Sequence, residues 1–180
     1  MNVVKAIKTR RSIRKYTTEI VSRIDLEDIV ELASYAPSWK NTQTPGYVII
    51  QDKEMLQDIA EHGVSGFTFN TGTIAGCSAL VVMTAKKNRC GYEKDGSFST
   101  PKGDKWEMFD AGVAAQTFML AAYEKGIGTV VLGIFDEAYI AEKINLEEDK
   151  SISALIAVGY PAEKPVMPKR KSLDELIRFI

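Results

Sequence analysis

Residues 106–133 read WEMFDAGVAAQTFMLAAYEKGIGTVVLG and combine a long helical pattern with the strand that follows it. Residues 106–125 contain no proline and are apolar around most of the helical wheel, which predicts a helix buried on most sides. Its many small residues permit close helix approach, so it is either the central core helix or a dimer interface. Gly126 and Gly128 end the helix, and a strand is predicted over 129–134.

The segments on both sides of this stretch predict further helices and strands. Residues that commonly cap helix N-termini mark three helix starts, at Asn2, Ser22 and Asp52. Apolar runs predict three more strands, at 47–51, 79–85 and 152–158. Because helices and strands do not alternate strictly, we predict one α+β domain over residues 1–180, with helices covering a central mixed sheet.

The composition argues against several classes of protein. The net charge of −1 gives no overall attraction for nucleic acid, and no apolar run approaches the ~20 residues that a membrane helix requires. Residues 1–18 lack the apolar stretch of a secretory signal, so we expect a cytoplasmic protein. Cys77 and Cys90 lack the spacing of metal ligands, and we expect two structural thiols and no metal site.

His62 is the single histidine, which limits the chemistry that side chains can supply. No Gly-x-Ser-x-Gly motif accompanies it, and we expect its ring to contact the last carbonyls of a helix. The chain also lacks a Gly-x-x-x-x-Gly-Lys-Ser/Thr loop and a Gly-x-Gly-x-x-Gly motif. Gly126 and Gly128 precede a strand, the reverse of the order in a dinucleotide fingerprint, so a nucleotide cofactor would need another type of site.

Two clusters of basic residues lie near the two ends of the sequence. The first occurs before any acidic residue, and the second is opposed nearby only by Glu163. The members are Lys5, Lys8, Arg10, Arg11, Arg14 and Lys15 in the first cluster, and Lys164, Lys169, Arg170 and Lys171 in the second. Taken alone, each cluster is either a solvated face or an anion site.

Two segments have no clear place in the core. Residues 86–105 are polar, hold three glycines and a proline, and are too long for a tight connection, so we expect a functional or mobile segment, such as a gate over a site. The tail after Gly159 contains three prolines and ends in large apolar residues. It forms either a final helix on its own subunit or an extended segment laid against a partner, and its extended course favours the partner.

Four motifs together resemble the FMN-dependent nitroreductase family. They are Arg10-Arg-Ser-Ile-Arg-Lys-Tyr16, Ala36-Pro-Ser-Trp-Lys-Asn-Thr-Gln-Thr-Pro45, the stretch from Asp110 to Gly133, and Ala157-Val-Gly-Tyr-Pro161 with Pro168-Lys-Arg-Lys171. The resemblance implies a three-layer α-β-α sandwich with a mainly antiparallel sheet. It also implies an intertwined homodimer with one FMN in each of two shared sites.

The family assigns a role to each motif. The first and last motifs hold the FMN phosphate and ribityl oxygens, because guanidinium forks match phosphate oxygens and serine adds a compact donor. This implies a phosphate site made of Arg10, Arg11, Ser12, Arg14, Lys169 and either Arg170 or Lys171. The second motif contacts the flavin ring bound mainly by the other subunit, which implies contacts from Pro37, Ser38, Trp39 and Asn41. This chain departs from the family's second motif at Thr44, which separates Gln43 from Pro45.

The flavin ring itself is assigned to two further segments by the resemblance. Asn70 matches a position whose side chain contacts the ring edge, and Thr73 stands where one branch of the family has lysine. The backbone along the ring is implied to be that of Val131, Leu132 and Gly133. A main-chain N–H near Gly133 would point at flavin N5, and such a donor is fixed in place and uncharged.

The resemblance implies an NAD(P)H-dependent oxidoreductase in which the flavin carries the chemistry and no catalytic side chain is required. Hydride from NAD(P)H would reach flavin N5, and a small electron-poor acceptor, such as a nitroaromatic or a quinone, would then be reduced in a ping-pong mechanism. Tyr92, Phe98 and Trp106 are candidates for the wall that selects the acceptor. The alternatives are a non-catalytic flavin-binding protein for storage or sensing, a reductive dehalogenase, and a flavin-fragmenting relative of the same fold.

Overall fold

The computed structural model describes residues 2–180 and contains a central four-stranded sheet. The strand order is β1-β2-β4-β3, and the strands are β1 (Pro45–Ile50), β2 (Ala79–Lys86), β3 (Gly128–Leu132) and β4 (Lys150–Gly159). All three strand pairs of this sheet are antiparallel. The parallel component of the predicted mixed sheet is limited, among the described residues, to an isolated bridge between Ser12 and Thr129.

Helices flank this sheet on both faces. Within residues 2–180 the α-helices are α1 (Val3–Thr9), α2 (Arg23–Ser34), α3 (Lys53–His62), α4 (Thr68–Ala75), α5 (Lys105–Glu124) and α6 (Glu137–Lys143). The first three begin at the predicted caps. The side chains of Asn2, Ser22 and Asp52 each accept a backbone N–H from the first turn, at 2.8, 3.0 and 2.8 Å.

Alternate side chains of β2 point into two different hydrophobic cores. Val81 and Met83 pack with α2 and α5, where Phe118 is fully buried. Leu80 and Val82 pack with α3, α4 and α6. Because successive side chains of a strand lie on opposite faces, the sheet is the middle layer of a three-layer α-β-α sandwich.

Helix α5 is buried on one side and exposes apolar side chains on another. Phe118 and Ala122 are fully buried in the core between α2 and the sheet. Met108 and Phe109, near the start of the helix, are 58% and 59% exposed. Helix α5 is therefore a core helix, one of its two predicted roles, and it also exposes apolar side chains near its start.

Helix α4 and the tail differ from what the local sequence suggests. Helix α4 was not predicted, because its N-cap position is Phe67, which has no capping oxygen, and its residues include threonine and glycine. The tail forms no final α-helix and contains only a short 3-10 helix at Leu173–Glu175. Its apolar side chains are exposed, namely Val166, Met167, Leu173, Leu176, Ile177, Phe179 and Ile180.

Candidate functional site

The N-terminal arm, defined as residues 10–17, lies across the ends of β3 and β4. The backbone N–H of Ile13 donates to the carbonyl of Thr129 at 3.0 Å, and that of Thr17 donates to the carbonyl of Tyr160 at 2.9 Å. These bonds bring the basic residues of the arm to the β3 edge of the sheet.

Two glycines allow the arm to approach the sheet closely. A Cβ added at Gly128 would lie 2.8 Å from Ile13, and a Cβ added at Gly159 would lie 2.8 Å from Tyr16. The hydroxyl of Tyr16 donates to the carbonyl of Ala157 at 3.1 Å, which fixes its ring over the end of β4. The packing of the arm therefore requires glycine at both of these motif positions.

Arg10 carries a buried nitrogen, Nη1, that has no hydrogen-bond partner among residues 2–180. Burial lowers the pKa of Arg10, and the charges of Arg11 and Arg170 lower it further. A buried guanidinium N–H without an acceptor is costly, and an anion would both accept its hydrogen bond and offset the repulsion. The geometry at Arg10 therefore fits a phosphate group.

The remaining basic residues have different surroundings. Arg11 Nη1 donates to two backbone carbonyls that precede it, at 2.8 and 2.7 Å, so part of its guanidinium is engaged within the chain. Arg170 is the tail cation whose charge acts on Arg10. Lys169 and Lys171 are exposed on either side of it. The sequence left Arg170 and Lys171 as alternatives for the further cation of the phosphate site, and Arg170 is the one whose charge acts on Arg10.

Glu163 fixes the part of the arm that carries Arg14. Its Oε1 atom accepts the backbone N–H groups of Arg14 at 2.7 Å and Lys15 at 3.2 Å. Ser12 is held beside β3 by its bridge to Thr129. The structure therefore brings the arm, the start of the tail and β3 together, as a shared phosphate site requires.

A slot of about 380 Å³ lies along the outer edge of β3. Beyond the bridge between Ser12 and Thr129, β3 has no neighbouring strand on this side within the described chain. Asn70 is buried, and its Nδ2 donates to the carbonyl of Ile134 at 3.0 Å. The slot is lined by Arg14, Phe67, Phe69, Asn70, Val131, Leu132, Gly133 and Ile134. Five of the predicted site residues therefore meet in one slot, and Phe67 and Phe69 are lining residues that the motifs did not indicate.

The second motif lies away from this slot. None of Pro37, Ser38, Trp39 and Asn41 is among the described residues that line it. Pro37 and Ser38 line a separate cavity of about 110 Å³, and Trp39 packs against Trp106 in a tilted pair with a ring-centroid distance of 4.7 Å. One chain does not bring these four residues to the slot, which is the arrangement expected of residues that contact a partner's cofactor.

Residues 86–105, called the wall segment below, pack beside this second motif. The rings of Tyr92 and Phe98 pair with a centroid distance of 4.9 Å, and their backbones form an antiparallel bridge. Lys40 Nζ lies 2.8 Å from Glu93 Oε1. The segment is therefore a folded surface joined to the loop of the second motif.

His62 ends α3, as predicted, but its predicted contact with the last helix carbonyls is wrong. Its ring faces Tyr139 at 6.1 Å, and its Nε2 is 3.8 Å from Glu61 Oε2, because side chains of α3 and α6 are available there. Cys77 and Cys90 are buried free thiols. Residues 2–180 contain no group of three or more potential metal ligands, and no helix among them is long and apolar enough to cross a membrane.

A sheet-edge slot beside a cationic arm suits a flat, anionic ligand, and comparison with known proteins identifies the family. Residues 7–160 match the model of the nitroreductase family, and the chain belongs to this family. A protein of Archaeoglobus fulgidus named "Putative NADH dehydrogenase/NAD(P)H nitroreductase" is 31% identical over 165 residues, which cover 89% of this chain and 86% of that protein.

Solved structures share the fold over nearly the whole chain. A nitroreductase family protein from Streptococcus pneumoniae TIGR4 has a TM-score of 0.86 at 20% identity, covering 99% of this chain and 100% of that one. The structure titled as a "putative nitroreductase in complex with fmn" from Desulfovibrio desulfuricans has a TM-score of 0.80 at 28% identity, covering 98% and 95%. The predicted α+β, nitroreductase-like fold is confirmed.

Proposed function

We propose that this chain is an FMN-dependent oxidoreductase that takes hydride from NAD(P)H and reduces a small electron-poor acceptor, such as a nitroaromatic or a quinone. The observation that carries the proposal is the arm, in which Arg10 has a buried N–H without a partner and Arg14 lines the slot along β3. The N–H suits a phosphate, and the slot suits a flat ring. The relatives, which include a protein named as an NAD(P)H nitroreductase and a structure described as an FMN complex, support the same reductant and cofactor.

The phosphate end of FMN is assigned to the two basic clusters. Arg10 supplies its buried N–H, Ser12 supplies a hydroxyl, and Arg14 supplies a second guanidinium from the same arm. A phosphate of about −2 charge would offset the repulsion among these cations. Further positive charge comes from Arg11, Lys169, Arg170 and Lys171.

The ring end of FMN is assigned to the slot along β3. Asn70, held in place by Ile134, lies at the ring edge, and the backbone of residues 131–133 runs along the ring. The N–H of Gly133 is the donor assigned to flavin N5. Bound FMN accepts and donates hydride, so the chain has to bind, orient and shield it, and no catalytic side chain is needed.

One open slot determines the order of binding. The nicotinamide and the acceptor both need the exposed face of the flavin, so they occupy the same place in turn, which gives ping-pong kinetics. In the proposed dimer, the partner's wall segment and Trp106, which are joined to the loop of the second motif, bound this place on the acceptor side. We propose a cytoplasmic enzyme, because NAD(P)H is available in the cytoplasm.

Two surfaces support a homodimer with shared sites. The tail exposes large side chains, including Phe179 at 92%. A groove of about 750 Å³ between α2 and the edge strand β1 is lined in part by apolar residues, and an extended segment can pair with such an edge. In the proposed dimer the tail of one subunit occupies this groove of the other, and Pro37, Ser38, Trp39 and Asn41 reach the partner's flavin ring. The apolar lining of the groove consists of Leu26, Val30, Tyr47 and Ile49.

Steady-state kinetics with both nicotinamides and a panel of acceptors test this function. The purified protein should be yellow, with one FMN per chain, and should elute as a dimer of two 19.9 kDa chains. Plots at several acceptor concentrations should give parallel lines. A protein that retains FMN but turns over no acceptor would be the non-catalytic flavin-binding alternative, and intersecting lines would exclude the single shared slot.

A further inference from the structure

Asp110 connects three separate segments through one carboxylate oxygen. It lies in the first half of α5, and only 3% of the residue is exposed. Its Oδ2 accepts the backbone N–H of Trp39 at 2.8 Å and the thiol of Cys90 at 3.0 Å. Helix α5, the loop of the second motif and the wall segment therefore share one buried hydrogen-bond acceptor.

The loop at residues 38–43 has a backbone that needs this support. Left-handed φ angles are found at three of its residues other than glycine, with values of 44°, 55° and 50° at Lys40, Asn41 and Gln43. Such a backbone is unfavourable for these residues and persists only where the surrounding structure holds it. The bond from Trp39 to Asp110 fixes the loop directly before the left-handed stretch.

The wall segment is held to the same carboxylate by Cys90. This residue is fully buried, and burial, followed by the effect of Asp110, raises the pKa of its thiol to about 12. The thiol therefore stays protonated near neutral pH and remains a hydrogen-bond donor. At the surface, the ion pair between Lys40 and Glu93 joins the loop and the wall segment a second time.

One unsatisfied group indicates that the loop is not shaped for stability alone. The indole nitrogen of Trp39 is buried without a hydrogen-bond partner among the described residues. Most buried polar atoms in proteins are paired, and exceptions in strained segments are concentrated at binding sites. The strained backbone and the unpaired indole nitrogen occur next to each other in this loop.

We propose that Asp110 is the positioning residue of the loop at residues 38–43, and that the Cys90 thiol ties the wall segment to the same carboxylate. Asp110 then holds the loop and the wall segment, which are the two walls of the substrate pocket, in fixed positions before nicotinamide or acceptor binds. The inference rests on the proposed function, in which this loop faces the partner's flavin ring. Loss of Asp110 should therefore weaken substrate capture, whereas FMN phosphate binding depends on Arg10.

The test compares Asp110→Ala with Asp110→Asn, and Cys90→Ala with Cys90→Ser, in the FMN-loaded dimer. The chain has two tryptophans, Trp39 and Trp106, and they form a tilted ring pair, so the tryptophan bands of the near-UV circular dichroism spectrum report on the loop. Asp110→Ala should lose this signal and raise KM for NAD(P)H and acceptor about tenfold or more, as expected for a lost charge-assisted hydrogen bond. Its Kd for FMN should rise far less than that of an Arg10→Ala variant, because this loop contacts only the ring end of the partner's FMN and the phosphate contacts remain.

The conservative variants separate positioning from general damage. Asp110→Asn keeps an acceptor oxygen and Cys90→Ser keeps a donor, so both should recover most of the tryptophan signal and of KM. Asp58→Asn is the matched control, because Asp58 also binds two groups, Tyr139 at 2.8 Å and Lys143 at 2.9 Å, but joins α3 to α6. It should lower stability and leave the tryptophan signal and KM unchanged.

Each outcome decides one of the two claims. A wild-type tryptophan signal and KM in Asp110→Ala and Cys90→Ala would overturn the inference. If Asp110→Ala does not fold, the comparison of Cys90→Ala with Cys90→Ser decides. Equal changes in Asp58→Asn would also overturn it. A wild-type protein that retains no FMN, or that NAD(P)H does not reduce, would overturn the proposed function, while circular dichroism would still decide whether Asp110 sets the loop.

Discussion

Replacing Arg10 with alanine should affect the protein differently with and without FMN. Without FMN, the substitution removes a guanidinium whose buried Nη1 has no partner in the described chain and whose charge is repelled by Arg11 and Arg170. An unsatisfied buried polar group costs roughly 1–3 kcal/mol. The thermal midpoint of the FMN-free variant should therefore equal or exceed that of the FMN-free wild type.

With FMN, the same substitution removes a charge-assisted contact to the phosphate. Such contacts are each worth about 1.5–3 kcal/mol, so FMN affinity should fall roughly 10- to 150-fold. Arg10→Lys should recover only part of this loss, because an ammonium restores the charge but not the two-pronged geometry. With FMN in excess, neither variant should change which acceptors are reduced, since the phosphate lies far from the reactive ring atom.

The assay is fluorescence quenching of FMN, combined with unfolding midpoints in the presence and absence of FMN. All variants need the same buffer, because salt screens these contacts. Lys8→Ala is the control, since Lys8 is exposed on α1 and should matter little for FMN. Unchanged FMN affinity in Arg10→Ala together with weakened affinity in Lys8→Ala would refute the assignment of the arm to the FMN phosphate. A large loss of stability in FMN-free Arg10→Ala would refute the strain argument.

Three further results are expected. Gly159→Ala should cost about 1–3 kcal/mol in urea unfolding, because its Cβ would lie 2.8 Å from Tyr16, whereas a Cβ at Gly72 meets nothing within 4 Å and Gly72→Ala should not destabilise the protein. Equal losses of stability in Gly159→Ala and Gly72→Ala would contradict the close packing of the arm against Gly159. Deleting the chain after Tyr160 should weaken FMN binding and dimerisation together, and an unchanged dimer in size-exclusion chromatography would place the tail on its own subunit. The hydrogen-bonded side chains of Lys143 and Tyr139 lower the pKa of Asp58 below its ordinary value of 3.8. The stability that these contacts contribute is therefore present above pH 3.8 and is lost as pH falls through the lowered pKa. The difference in urea midpoint between wild type and Asp58→Asn should shrink in that acid range, and a constant difference would count against the contact.

The predictable part of the fold rests on short-range chemistry. Asn2, Ser22 and Asp52 cap the helices that they were expected to cap, because capping depends on a side chain and an N–H three residues away. The strand at residues 79–85 and helix α5 follow from long apolar patterns. These signals are present in any local window of the sequence.

The missed features depend on contacts between distant segments. Helix α4 has no cap and is stabilised by packing on α3 and the sheet, which a local window does not contain. Likewise, no local pattern places Arg170 beside Arg10, or Cys90 on Asp110. The motifs indicated which residue types make up the proposed phosphate site, whereas the position of each cation depends on how the arm and the tail cross.

The flavin spectrum of the purified protein during an anaerobic titration decides whether FMN passes hydride from NAD(P)H to an acceptor. We expect NADH or NADPH to bleach the flavin absorbance without any acceptor present, and a nitroaromatic or a quinone added afterwards to restore it. Each half of the reaction is then visible separately, as a ping-pong mechanism requires. A bound flavin that neither nicotinamide bleaches, or a bleached flavin that no acceptor reoxidises, would contradict the account.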